Sequence, residues 1–355
     1  MSLSVGILGL PNVGKSTLFK LLTKNPVDIS NYPFCTIEPN VGVVEVPDKR
    51  LEKLAEMSKP KKIVKAIIKF VDVAGLVKGA HKGEGLGNQF LAHLRECDAL
   101  LHIVRCFKNE NIAHVEGEIN PKRDIEIVEG ELILKDLETI ERRMEKIEKE
   151  VKQQKKEKEL EFKFLENLKE KLVQGKMARE VLENSSQQDK EIAKNLFLLT
   201  AKPQIYLLNC QKEEIAQDLK DYLKEREGEW LVLDLKEELE KSELSKKERE
   251  ELGIEEPQID ILIKKCYKVL NLITFFTIVG KEEARAWPIE RGSSILEGAG
   301  MIHSDFKEKF IRAEVINWQK LVEVGDWQKA QEMGLLKQVG KDYILEDGDV
   351  VEIKI

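Results

Sequence analysis

The feature that most constrains this chain lies in its first two dozen residues. A short apolar run, Leu3 to Leu8, leads straight into Gly9-Leu10-Pro11-Asn12-Val13-Gly14-Lys15-Ser16, and then into an apolar pattern at helical spacing, Leu18-Phe19-x-Leu21-Leu22. Strand, glycine loop and helix in that order form the context in which a Walker A string becomes a phosphate site. Backbone N–H groups and the helix N-terminus wrap the β-phosphate, and side chains at the glycine positions would block the approach. Lys15 supplies a point charge to the β- and γ-phosphates, and Ser16 offers a hydroxyl to Mg²⁺. Asn12, Val13, Gly14 and Thr17 complete the expected phosphate-binding set. The expected fold class is therefore α/β, of the P-loop NTPase (G domain) kind.

Two further apolar runs, Val41 to Val46 and Ala66 to Val73, read as strands. The second closes on Asp72-Val73-Ala74-Gly75, which places Asp72 to hold the Mg²⁺ water shell and the Gly75 N–H to face the γ-phosphate. Gly79 to Gly87 carries too many glycines for a stable helix or strand. It reads as a loop that a γ-phosphate orders. Between these motifs, Thr36 of Asn31-Tyr32-Pro33-Phe34-Cys35-Thr36 is placed to complete the metal site, with an ordinary loop threonine as the alternative.

Ala99 to Val104 and Pro203 to Leu208 complete the expected parallel set, the latter running into Asn209-Cys210-Gln211-Lys212-Glu213. GTPases carry Asn-Lys-x-Asp here, and the Asp accepts from the guanine N1–H and 2-amino group. Lys212 stands in its place, and a cation cannot accept. Each unpaired donor costs about 1–3 kcal/mol, which argues against guanine. Asn209 can still pair with the N7 and amino edge of adenine, with Cys210 beside it, while Glu213 swinging in would keep GTP open. Phe107 suits stacking on the base or burial in the core. Asp234-Leu235-Lys236 falls where a Ser-Ala-Lys-like loop belongs but matches it poorly, so it receives no role.

The composition changes abruptly between Arg123 and Thr200. Ile133, Leu137, Ile140, Met144, Ile147 and Val151 alternate at spacings of four and three, a heptad seam that lapses and resumes at Leu165, Leu168 and Leu172. The pattern predicts an antiparallel helical hairpin inserted in the nucleotide domain, with its tip near Gln153 to Lys158. One continuous helix to Val173 is the alternative, since no Gly or Pro marks a turn. Charged residues make up 35% of the chain and concentrate here, with acids and bases near balance. The net charge of −7 therefore says little about RNA; Lys155-Lys156-x-Lys158 is either a solvated tip or a phosphate-backbone contact.

Trp230 to Leu233 adds a strand and Glu237 to Glu251 a polar helical stretch. Beyond them, Leu272 to Val279 and Ala284 to Ile289 alternate as strands, and Gly292 onward starts a short helix. An Asp347-Gly348 turn is predicted to join two strands of a terminal hairpin, giving a small α+β module. The expected domains are 1–128 with 200–270, 129–199, and 271–355. The densest apolar stretch, Val269 to Val279, falls well short of the roughly twenty residues of a membrane span, so no membrane role is expected. Met-Ser-Leu-Ser-Val-Gly at the start has no basic region leading into a long apolar core, so no signal peptide is expected. Cys35, Cys97, Cys106, Cys210 and Cys266 are scattered without disulfide or zinc spacing, which suits a reducing cytoplasm.

Taken together, the motifs resemble the YchF/Obg-like ATPases, a branch of the Obg-related P-loop proteins, over essentially the whole chain. The carriers are Gly9 to Phe19, Asn31 to Asn40, Asp72 to Ala80, Gly83 to Phe90, and the terminal Asp305-Phe306, Phe310 to Val315 and Gly348 to Val350. The resemblance implies a G domain, an inserted coiled coil and a C-terminal TGS domain of ubiquitin-like fold. It further implies ATP preferred over GTP, Mg²⁺ as cofactor, a cytoplasmic location, and the ribosome, its RNA or its proteins as partner, with a monomer expected.

Leu76 replaces the Gln that orients the attacking water in most small GTPases. By resemblance, His114 becomes the catalytic candidate alongside Lys15, as water positioner or proton carrier. His81 is the rival. Asn12 resembles the P-loop Asn of potassium-activated relatives, so K⁺ at the phosphates is a further expectation. The base motif departs from the family's Asn-x-x-Glu, with Lys212 in the last place and Glu213 next door. A GTP-specific ribosome-assembly GTPase and a nucleotide-bound scaffold with incidental hydrolysis remain the competing functions.

Overall fold

A computed structural model describes every residue except 1–2, 26, 29–31, 33–39, 73–85, 152–155, 212–214, 227 and 254–256. Two six-stranded sheets organise it. The strands are β1 (Ser4–Leu8), β2 (Val41–Glu45), β3 (Lys62–Val64), β4 (Ile67–Asp72), β5 (Ala99–Arg105), β6 (Gln204–Asn209), β7 (Glu229–Val232), β8 (Leu272–Val279), β9 (Glu283–Glu290), β10 (Arg312–Asn317), β11 (Lys337–Val339) and β12 (Asp349–Lys354).

The first sheet runs β2-β4-β1-β5-β6-β7 and is parallel except for β2, which pairs antiparallel with β4. The burial pattern gives the reason. β5 and β6 are buried at every position, as strands covered on both faces must be, whereas β2 alternates between buried and partly exposed positions. A one-sided strand is tolerated at an antiparallel edge.

Helix Pro121–Val151 serves two units at once. Its first turns bury Ile125, Val128 and Leu132 against the sheet, and its far half buries Ile140 and Ile147 against Leu165, Leu168 and Leu172 of helix Lys156–Val173. Ion pairs cross between the arms, Arg143 to Glu161 at 2.6 Å and Lys169 to Glu141 at 2.7 Å. The chain therefore folds back as a hairpin and does not continue as one helix. The turn itself falls in 152–155, outside the described residues, as does Lys155 of the basic run.

Two helices absent from the sequence reading, Ala178–Leu182 and Gln187–Asn195, pack on the second arm. Ser186 and Asp189 form a capping box that starts the latter. Asp136 closes the insertion. Wholly buried, its carboxylate accepts from the Leu199 and Thr200 N–H groups and the Thr200 hydroxyl at 2.6–2.8 Å, where the chain returns to β6.

The second sheet runs β11-β10-β12-β8-β9-β3, with β12 antiparallel to β10 and parallel to β8. The terminal hairpin predicted around Asp347-Gly348 does not form. Only β12 follows the turn; the segment before it makes an isolated bridge, Ser294 with Ile344. The cause is long-range. Asp347 accepts from the Thr274 N–H at 2.9 Å and from Arg50 at 2.8 Å, while Gly348 sits at φ 97° against the Trp318 ring. These contacts steer β12 into the centre of the sheet. At its other edge, β3 pairs parallel with β9, joining the N-terminal part of the chain to the C-terminal module. Among the described residues, no helix is long and apolar enough to cross a membrane.

Candidate functional site

A cavity of ≈ 670 Å³ is lined by the loops that follow β1, β5, β6 and β7, and the glycine loop leads from β1 into helix Lys15–Leu22. Two glycines are obligatory by geometry. A Cβ on Gly9 would lie 2.5 Å from the Ile103 carbonyl oxygen, and one on Gly14, at φ 111°, would lie 2.6 Å from Asn209 Nδ2. Both positions need close approach and left-handed freedom together.

Lys15 Nζ donates to the Gly9 and Leu10 carbonyls at 3.0 and 2.7 Å. Burial lowers its pKa to about 8, against the opposing pull of Asp72. Asp72 ends β4; burial raises its carboxyl, and Lys15 counteracts that rise. Ser16 is exposed in the first turn of the helix. A hydroxyl and a partly desolvated carboxylate are hard oxygen donors, the chemistry Mg²⁺ takes alongside phosphate oxygens and water. The residues present fit that ion. Among the described residues, no cluster of His, Cys, Asp or Glu offers a separate metal site.

The other end of the cavity is lined by Phe107, Asn109, Ile112, Asn209, Cys210 and Leu235. Asn209 is a clamp: Nδ2 donates to the Val13 carbonyl at 2.9 Å, and Oδ1 accepts from the Leu235 N–H at 3.1 Å. It ties the phosphate loop to the loop opening helix Leu235–Ser242, which Asp234 caps through the Lys236 and Glu237 N–H groups. Among the described residues, one amide N–H and one lone pair of Asn209 remain unbonded. Asp234-Leu235-Lys236, given no role from sequence, thus lines the site.

His114 lies in the loop after β5, its side chain only 2% exposed. Nδ1 accepts from the Glu116 N–H at 3.2 Å, so Nε2 carries the proton and donates to Asp124 at 2.8 Å. Both ring nitrogens are engaged. The neighbouring Ala113 carbonyl accepts from Asn12 Nδ2 at 3.2 Å, which brings this loop against the phosphate loop.

Of the sequence-predicted site residues, Asn12, Gly14, Lys15, Ser16, Thr17, Phe107, Asn209 and Cys210 line one cavity. Val13 joins them through its carbonyl, Asp72 through its charge on Lys15, and His114 through its neighbour. Thr36 and Gly75 lie outside the described residues, as do Leu76, His81, Lys212 and Glu213. Sequence reasoning missed Arg105, Asp124 and Leu235. A cation ending a strand that is apolar but for His102 was the available signal for Arg105.

Residues 4–167 match the family described as "50S ribosome-binding GTPase", and residues 272–355 match YchF-GTPase_C, described as a protein of unknown function. The chain is 46% identical over 366 residues to "Ribosome-binding ATPase YchF" of Bacillus subtilis (strain 168), covering 100% of this chain and 99% of the relative. It is 44% identical over 360 residues to the protein of the same name from Escherichia coli O157:H7, covering 99% and 98%. Among solved structures it resembles the Schizosaccharomyces pombe YchF GTPase with a TM-score of 0.87, at 34% identity, covering 99% of this chain and 98% of that one.

Proposed function

The chain belongs to the YchF family, and on that premise we propose that it is a Mg²⁺-dependent ATP hydrolase whose nucleotide state switches its grip on the ribosome. The single observation that carries the reading is the cavity in which the phosphate loop and the Phe107–Asn209–Leu235 pocket meet. The name shared by its relatives, ribosome-binding ATPase, supports the partner.

Each residue then has a task. Backbone N–H groups of residues 12–16 hold the phosphates, and Lys15, largely protonated at pH 7 with a pKa of about 8, adds its charge. Ser16, Thr36 and Asp72 would hold Mg²⁺, and the Gly75 N–H would face the γ-phosphate. When bound, that ion neutralises charge developing on the β- and γ-oxygens. Asn12, whose Nδ2 is turned to Ala113, keeps its carbonyl oxygen as the K⁺ ligand of our reading. Phe107 stacks on the base, and Asn209 reads its N7 and amino edge with its remaining capacity. Lys212 offers no acceptor for the guanine donors, which favours ATP over GTP.

His114 is the proton carrier of this reading. Asp124 holds the Nε2–H tautomer, so Nδ1 is the basic atom, and its longer bond to Glu116 is the one to give way to water. Turnover without a partner is slow, because Leu76 supplies no hydrogen bond to orient that water. The insertion is read as a coiled-coil arm spanning 129–199 with a basic tip at Lys155 to Lys158. Residues 271–355 are read as a TGS domain, 1–128 with 200–270 as the G domain, and the whole as a cytoplasmic monomer. Single-turnover ATP hydrolysis with and without ribosomes tests the function: ribosomes should accelerate it, and equal rates would favour a scaffold with incidental hydrolysis.

A further inference from the structure

Strand β5 is buried along its whole length and yet ends in a cation, Arg105, which is 1% exposed. Among the described residues, no carboxylate hydrogen-bonds to its guanidinium. It serves backbone instead. Nε donates to the Phe107 carbonyl at 3.3 Å, one terminal nitrogen donates to Ile112 and Ala113 at 3.0 and 3.4 Å, and the other donates to Asn109 at 3.1 Å. Its Cζ lies over the Phe107 ring, 4.6 Å from the centroid.

A guanidinium carries five N–H donors in a rigid fork. Its three nitrogens make four hydrogen bonds to carbonyls of one short irregular segment, 107–113, whose groups have no strand or helix to bond to. This segment begins with the aromatic ring that lines the cavity. It ends at Ala113, whose carbonyl meets Asn12 of the phosphate loop, and His114 follows directly. So committed, the guanidinium cannot also act as an arginine finger on the phosphates.

We propose that Arg105 is a positioning residue for nucleotide hydrolysis, whose fork sets the course of the 107–114 loop and thereby fixes both Phe107 at the base and His114 beside the phosphate loop. The proposal rests on the reading of the cavity as an ATP site. It makes a distinctive demand. A change at Phe107 should act mainly on KM, and one at His114 mainly on kcat, whereas one at Arg105 acts on both without touching ATP. Lysine keeps the charge but lacks the planar fork, so charge alone does not substitute.

The test uses the full chain as wild type, Arg105→Lys and Arg105→Ala, with steady-state ATP hydrolysis and thermal midpoints measured together. Arg105→Lys should raise KM for ATP at least about fivefold and lower kcat at least about tenfold at temperatures where it remains folded. Millimolar guanidinium should restore part of the kcat of Arg105→Ala, and equal urea should not. Wild-type values of both constants in folded Arg105→Lys would overturn the proposal. So would loss of fold in both variants without guanidinium rescue, since Arg105 would then be core support alone. Wild type that neither binds nor hydrolyses ATP overturns the ATP reading itself; an active wild type with an unaffected Arg105→Lys overturns only the role of Arg105.

Discussion

At the phosphate end of the proposed site, the groups offered to a ligand are backbone N–H groups and two side chains within eight consecutive positions, Gly9 to Ser16. At the base end, Arg105 and Phe107 from one part of the chain meet Asn209 and Leu235 from another, and the two polar side chains bond loop backbone. The first end is set by local geometry: two close approaches that only glycine permits, and a helix that starts where the loop ends. The second is set by a network, so altering one member loosens others. Function at the phosphate end should therefore fail sharply at single residues. At the base end it should fail by degrees and at several positions.

Changes at single residues can break or sharpen that contrast. The largest effect belongs to Lys15→Ala, which should weaken Mg-ATP binding at least about a hundred-fold, some 2.7 kcal/mol, without lowering the thermal midpoint. Calorimetric titration checks it, and retained affinity would mean the loop works without its charge. His114→Ala should lower kcat by about a hundred-fold and leave ATP affinity in place. If it spares both, His114 serves only its bonds to Asp124 and Glu116. Asn209→Ala, which orphans the Val13 carbonyl and the Leu235 N–H, should cost about 1–3 kcal/mol of stability and weaken nucleotide binding along with it. A change in one without the other would break the clamp.

The smallest effect is one of pH. In the proposed site phosphate binds the protonated form of Lys15, whose pKa in the free protein is about 8. Below pH 8 the proton is already present and affinity should be flat. Above it, binding must take up a proton, so affinity should fall by at most about tenfold per pH unit. Titrations from pH 7 to 9.5 on wild type and Lys15→Ala separate this slope from any other, because the variant should show none.

The same contrast explains what could be read from the sequence. Gly9 to Ser16 declares its fold because strand, loop and helix are neighbours in the chain, and the heptad seam of Ile133 to Val151 declares a helix for the same reason. Antiparallel β2, β3 joining the far sheet, and β12 entering between β8 and β10 were not legible. Asp347-Gly348 carries a hairpin signal, and local turn chemistry lost there to Thr274 and Arg50, bonded across more than seventy positions. Arg105 and Asp124 went unread because their partners are backbone carbonyls and a histidine ring that no spacing rule names.

The central claim is that the base end departs from guanine recognition while the phosphate end stays that of a P-loop hydrolase. Side-by-side calorimetric titration of the Mg²⁺ complexes of non-hydrolysable ATP and GTP analogues into the full chain tests it most directly. The account predicts ATP binding tighter than GTP. GTP binding about ten-fold tighter, some 1.4 kcal/mol, would contradict it.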